Sequence, residues 1–139
     1  VITGRARLRP FREAFLIPPV RLVVTDFSLS GSGGNMKLNF VYMTAGSKDE
    51  ARKIGKELVI SRLAACVNIL DNMNSVYMWE GKVQDDAEVV MIAKTSEDCI
   101  PRLIEKVKSL HSYDCPCIVS LPVVNGHQPF LDWIAEEVK

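Results

Sequence analysis

No apolar run in this sequence approaches the ~18 residues that a membrane-crossing helix needs, so a soluble protein is the expectation. Net charge is also missing. Seventeen Lys and Arg balance seventeen Asp and Glu, which removes any global electrostatic case for nucleic acid or an anionic membrane surface. Histidine is scarce: His111 and His127 are the two, and neither has a sequence-adjacent partner for nucleophilic catalysis. A Walker loop, a dinucleotide-binding glycine pattern, a Gly-x-Ser-x-Gly elbow and a His-Glu-x-x-His pair are all absent. Enzyme chemistry would therefore have to rest on His111 as general base and Lys94 as charge stabiliser. No residue requires that role, and a non-enzyme is expected. Four cysteines (Cys66, Cys99, Cys115, Cys117) do not resemble the disulfide framework of a secreted scaffold. They read as reduced thiols in a cytoplasmic protein.

What is present suits one globular domain. The chain has 139 residues, 47% of them hydrophobic and 24% charged, close to ordinary soluble proteins. Its charge is unevenly placed. Residues 1–34 carry five arginines against Glu13 and Asp26, net +3, and end in Ser30-Gly-Ser-Gly-Gly34 just before Met36. Residues 1–35 are therefore set aside as an N-terminal extension or linker of uncertain origin: an artificially appended extension, an Arg-rich targeting sequence or a natural arm. Met36 reads as an original start, and the domain to interpret is 36–139.

Within it, Lys37–Met43 is enriched in strand formers, and Ser47 with Glu50 fits a helix capping box. Ala51, Ile54, Leu58 and Val59 then make one face of a helix over about 48–64. Ala65–Leu70 reads as a second strand ending in a turn at Asp71–Asn74. Ser75–Trp79 and Ala87–Ala93 form a hairpin around Glu80-Gly81-Lys82, whose second strand begins as early as Val83. Ser96 caps a helix over about 97–110, Ile118–Val124 is the last strand, and Pro129 opens a final helix. The expected fold is α+β: a split βαβ arrangement, an antiparallel sheet with helices on one face plus a C-terminal helix. Its other face needs covering. Tyr77, Met78, Trp79 and Met91 suggest that other subunits complete the burial.

The constellation that carries most chemistry is His111-Ser-Tyr-Asp-Cys-Pro-Cys117. Alternation along a strand would aim both sulfurs one way, with an imidazole just upstream, a donor set suited to Cu(I) or Zn(II). His111, Cys115 and Cys117 are thus the candidate metal ligands, and buried thiols are the competing explanation. Cys66 reads as a packed core thiol, Cys99 as a thiol in a helix first turn, and His127 as a solvated loop residue. Glu88, Asp85, Asp86 and Lys94 form a solvated cluster or line a cleft.

Several motifs, in order, resemble the CutA divalent-cation-tolerance family: Leu63-Ala-Ala-Cys-Val-Asn68, Tyr77-x-Trp-Glu-Gly-Lys82, Glu88-Val-x-Met-x-x-Lys-Thr95, His111-x-Tyr113 and Leu121-Pro-Val-x-x-Gly126 with Phe130-Leu-x-Trp-Ile134. The resemblance covers about 38–135. It implies a ferredoxin-like domain in a homotrimer, similar in architecture to the PII signalling proteins. It also implies an inter-subunit pocket near Asn68, Trp79, Lys82, Lys94, His111 and Tyr113. Family members are associated with tolerance of copper and other divalent metals, animal relatives with anchoring of acetylcholinesterase, and no reaction is established. Two functions follow as expectations: metal binding or homeostasis without an obligatory cofactor, or small-ligand sensing or scaffolding in the manner of PII proteins. The family's usual His-Pro-Tyr-Glu-x-Pro-Glu segment here reads His111-Ser112-Tyr113-Asp114-Cys115-Pro116-Cys117, so a proline and a carboxylate are lost and two thiols gained. Where some relatives end the first strand in cysteine, this chain has Met43, a weak thioether donor for Cu(I).

Overall fold

The computed structural model describes residues 36–139, and the expectations for residues 1–35 lie outside the described residues. The element order is β1 (Leu38–Ala45), α1 (Lys48–Ile60), β2 (Cys66–Trp79), β3 (Lys82–Ser96), a 3-10 turn (Glu97–Cys99), α2 (Ile100–Leu110), β4 (Ile118–Pro122) and α3 (Gln128–Glu137). The strands form one antiparallel sheet in the order β2-β3-β1-β4, the split βαβ topology that the sequence pattern suggests.

Alternation along the central strands divides the sheet into two faces. Val41, Met43 and Ala45 on β1, with Val89, Met91 and Ala93 on β3, are buried against Ala51, Ile54 and Leu58 of α1 and Leu103 and Val107 of α2. Two expectations are corrected here. Met43 is fully buried in this core, where its thioether cannot reach an ion, and Met91 fills the same core and completes no subunit contact.

Helix α1 stops four residues before the expected end, through a Schellman motif. Leu63 N–H donates to the Leu58 carbonyl at 2.9 Å and Arg62 N–H to that of Val59 at 3.0 Å. The left-handed position, usually glycine, is held by Arg62 at φ 56°. Its side chain and backbone then hold the far end of α3, donating to the Glu136 carbonyl at 2.9 Å and accepting from Lys139 N–H at 3.0 Å. α3 places Ile134 and Val138 against Leu38, Ala65 and Cys99, a second apolar cluster at the end of the sheet. Ser96, expected to cap the second helix, precedes the 3-10 turn with no side-chain cap bond.

The turn expected at 71–74 is a bulge inside one continuous strand. Register shifts between Leu70 and Met73, Asn72 takes φ 61°, and β2 then runs unbroken to Trp79. The β2–β3 hairpin thus becomes a long twisted arm. Its inward row Met73, Ser75, Tyr77 and Trp79 lies opposite Glu88, Asp86, Gln84 and Lys82 and continues the face of the sheet away from α1 and α2. That face carries Phe40, Tyr42, Thr44, Ile92 and Lys94, with Leu70, Val119 and Leu121 exposed. Among the described residues no layer covers its middle.

Candidate functional site

Where the open face meets the hairpin arm and the segment after α2, the chain encloses a cavity of about 780 Å³. Its walls carry three carboxylates, Glu50, Asp86 and Glu88, and three phenols, Tyr42, Tyr77 and Tyr113. Among the described residues no lysine or arginine lines it, so its field is negative.

Glu88 is the hub. It sits on β3 facing the bulge, and its carboxylate accepts hydrogen bonds from Ser75 Oγ at 2.5 Å, Tyr113 OH at 3.1 Å and Thr44 Oγ1 at 3.3 Å. Tyr77 OH donates to Asp86 at 2.6 Å. The phenols register the field: burial first, then the charge of Glu88, pushes Tyr113 up to about 12. The bond to Asp86 pushes Tyr77 up to about 12. Burial, then the charges of Cys117 and Glu88, raises Tyr42.

Glu50 fastens the segment that follows α2. Ser47 accepts from Glu50 N–H at 3.2 Å, half of the expected capping box. The other half is diverted: the Glu50 carboxylate accepts from Gly46 N–H at 3.3 Å and from the N–H and hydroxyl of Ser112 at 2.5 and 3.1 Å. Burial alone would raise this carboxyl, but the Ser112 bonds, the neighbouring His111 ring and the Gly46 bond outweigh it, and its pKa is lowered. Gly46 matters sterically too, since a Cβ there would meet Tyr113 OH at 3.1 Å.

His111, expected as a ligand, acts as a brace. Its Nε2 lies 2.8 Å from the Thr44 carbonyl, and its Nδ1 accepts from Tyr113 N–H at 3.0 Å. Both ring nitrogens are thus engaged by backbone groups and are not turned toward an incoming ion. The side chain is 1% exposed. The role of general base is no better served, for Lys94 lies elsewhere, donating to Asn68 on the open face with its Nζ 5.9 Å from the Phe40 ring centroid.

The other named positions are spread over several places. Tyr113 and Cys117 line the cavity, and Trp79 and Lys82 pair at the tip of the arm. Asn68 and Lys94 sit further along the open face, beside Cys66, which is half-buried there and not in the core. Cys99 is buried, and His127 is exposed at the start of α3. Asp85 is separate, accepting from Asn74 on the far side of the arm.

Cys115 and Cys117 precede β4 in irregular chain, Cys115 exposed and Cys117 half-buried. Burial, then the charges of Glu88 and Cys115, raises the Cys117 thiol. Among the described residues no group of three or more His, Cys, Asp and Glu side chains is gathered as a ready metal centre. Thiolates in general select soft ions such as Cu(I), whereas a structural zinc centre takes four protein ligands.

Sequence reasoning leaves Glu50, Thr44, Ser75 and Tyr77 out of the site. Glu88 and Asp86 admit two readings in the sequence, and their alternation on a strand opposite Ser75 and Tyr77 is the signal that places them in a cleft.

The fold has counterparts in known proteins. The family described as CutA1 divalent ion tolerance protein matches residues 39–137. The divalent-cation tolerance protein CutA of Thermus thermophilus is 46% identical over 96 residues, 69% of this chain and 93% of that protein. The crystal structure of CutA1 from Oryza sativa aligns with a TM-score of 0.74 at 38% identity, covering 76% of this chain and 96% of that one. A structure from Archaeoglobus fulgidus, described as a periplasmic divalent cation tolerance protein, aligns at 0.71 and 44% identity over 73% of this chain and 99% of that one. Among the described residues no helix is long and apolar enough to cross a membrane.

Proposed function

The chain belongs to the CutA1 divalent ion tolerance family, and from that premise we propose that it handles metal ions by binding a soft cation, Cu(I) before Zn(II), through Cys115 and Cys117. The observation that carries this reading is Cys117 on the wall of a cavity that holds three carboxylates and, among the described residues, no basic side chain. A negative field concentrates cations, and two sulfurs favour a soft one. Glu88 shares the cavity wall with Cys117 as a further carboxylate donor, and His111 supports the site by holding the backbone that presents it.

The reading carries an assembly and a compartment. The apolar open face, with Trp79 and Lys82 on the arm that extends it, is suited to cover by further copies in a homotrimer. Asn68, Lys94 and Tyr113 would then lie near the clefts between copies. Reduced thiols are in keeping with the cytoplasm. Small-ligand sensing is the second reading, favoured by the size of the cavity and its ring of hydroxyls, and it predicts ligand-dependent stabilisation without metal.

The test is an anaerobic titration of the reduced protein with Cu(I) and with Zn(II) against a competing chelator, beside Cys115→Ser/Cys117→Ser and His111→Ala. Stoichiometric Cu(I) binding, lost in the cysteine variant and kept in folded His111→Ala, is expected. Equal, weak binding in all three proteins would overturn the metal reading in favour of ligand sensing.

A further inference from the structure

The same two sulfurs allow a reaction that metal binding does not require. Of the four thiols, Cys99 is 1% exposed among the residues that α3 covers, and Cys66 lies on the open face opposite Lys94. Cys115 and Cys117 differ from both in having each other: one residue separates them, and each lies within electrostatic reach of the other. They also differ from one another, Cys115 being exposed and Cys117 half-buried on the cavity wall.

Spacing permits a bond between them. Two residues of chain span at most about 7 Å, and a disulfide needs Cα atoms no more than about 6.8 Å apart. Both cysteines lie in irregular chain between α2 and β4, so closing the bond breaks no helix or strand pairing. A ring with one intervening residue is strained and therefore readily reduced, which is the property of labile, regulatory disulfides.

We propose that Cys115 and Cys117 form a reversible redox couple, with Cys115 as the attacking thiol and Cys117 as the resolving one, oxidised by low-molecular-weight disulfides. In the first step the Cys115 thiolate, its proton released to solvent, attacks one sulfur of the reagent. A mixed disulfide forms and one reagent thiolate leaves. In the second, Cys117 loses its proton to solvent and attacks the Cys115 sulfur, forming the internal disulfide and expelling the second reagent thiolate. Two protein thiols are oxidised and one reagent disulfide is reduced to two thiols. The reverse exchange with excess reduced thiol restores the pair. Oxidation removes both sulfurs from the metal site proposed above; that consequence, release of the ion, rests on the metal reading, and the disulfide itself does not.

The test uses the full reduced chain, metal-free, exposed to cystamine and followed by intact mass and peptide mapping. Wild type should lose two hydrogens, with the bond mapped to Cys115–Cys117 and reversed by excess reduced cysteamine. Cys117→Ser should stop at one cysteaminyl adduct on Cys115, and Cys115→Ser should react several-fold more slowly. A stable adduct on wild-type Cys115 without internal closure, or reaction at Cys66 or Cys99 as fast as at Cys115, would overturn the proposal. A reduced protein that binds no Cu(I) yet closes this disulfide would sink the metal reading and leave the redox couple standing.

Discussion

Replacing Glu88 with Gln keeps the shape of the hub and removes its charge. Three hydroxyls donate to this carboxylate, at 2.5 Å from Ser75, 3.1 Å from Tyr113 and 3.3 Å from Thr44. Bonds to a charged group contribute about 1.5–3 kcal/mol, neutral ones about 0.5–1.5 kcal/mol. The long Thr44 contact adds little, so two bonds change class at a cost of about 1 kcal/mol each. The total is a destabilisation of about 2 kcal/mol, read as a fall of about 1 M in the urea midpoint. The sharper readout is phenol ionisation followed by ultraviolet absorbance at alkaline pH. Tyr113, held near 12 by burial and then by Glu88, should ionise earlier in the variant. Tyr77, held near 12 first by its bond to Asp86, should move little. Because both folded values exceed the ordinary 10.0, their contribution to stability is complete below pH 10 and is lost as pH rises through 12. The variant should begin to lose the Tyr113 share at lower pH. An unchanged Tyr113 titration would mean that burial alone sets it, and the account of Glu88 as the source of the field would be wrong.

Glu50, lowered below its ordinary 4.5, contributes stability that is present above that value and lost as pH falls through the folded one. Glu50→Gln should therefore flatten the acid limb of a stability-against-pH curve, and an unaltered limb in urea melts would contradict its bracing of Ser112. Thr95 is fully buried and its hydroxyl donates to the Leu63 carbonyl at 2.6 Å, so Thr95→Val should cost about 1–2 kcal/mol and lower Tm by about 5 °C or more. An unshifted calorimetric transition would show that the Leu63 carbonyl finds another donor. Trp79→Ala, at the tip of the arm, should weaken assembly if copies pack along it. Light scattering across a dilution series checks this, with an undiminished assembled mass counting against the placement.

Periodicity made most of the fold legible. Ala51, Ile54 and Leu58 at helical spacing, and Val41, Met43 and Ala45 at alternate positions, meet in one core as a two-layer pattern requires. Local turn chemistry misled at 71–74, where asparagine and aspartate mark a bulge as readily as a strand end, and pairing with β3 decides between them. The site was less legible because its bonds are long-range. Glu50 matches a capping box within its own helix, yet its carboxylate is taken by Ser112, sixty-two positions away. His111 resembles a ligand because sequence shows the imidazole and hides its partners, the Thr44 carbonyl and the Tyr113 N–H. Of the positions that the resemblance groups in one pocket, Tyr113 lines the cavity within this chain, and Asn68 and Lys94 bond to each other further along the open face.

The segment from His111 to Cys117 divides into a part that is fixed and a part that is left free to vary. His111, Ser112 and Tyr113 are tied to Thr44, Glu50 and Glu88, on three different elements, so substitutions there disturb the cavity wall itself. Cys115 and Cys117 lie beyond those anchors, where a change of side chain alters the donors presented without loosening the frame. A thiol serving packing alone would be expected inside an apolar cluster, as Cys99 is. Cys117 instead shares a wall with Glu88 and Tyr113, and the charge of that carboxylate works against its ionisation. A bound cation reverses that penalty, since it stabilises thiolate and carboxylate together. Metal affinity should accordingly fall as pH drops, with protons competing for the sulfurs. Cys115→Ser alone should weaken Cu(I) binding sharply and leave unfolding by urea nearly unchanged, because an exposed thiol contributes little to the core. A large loss of stability with binding intact would place Cys115 in the framework and remove it from the chemistry.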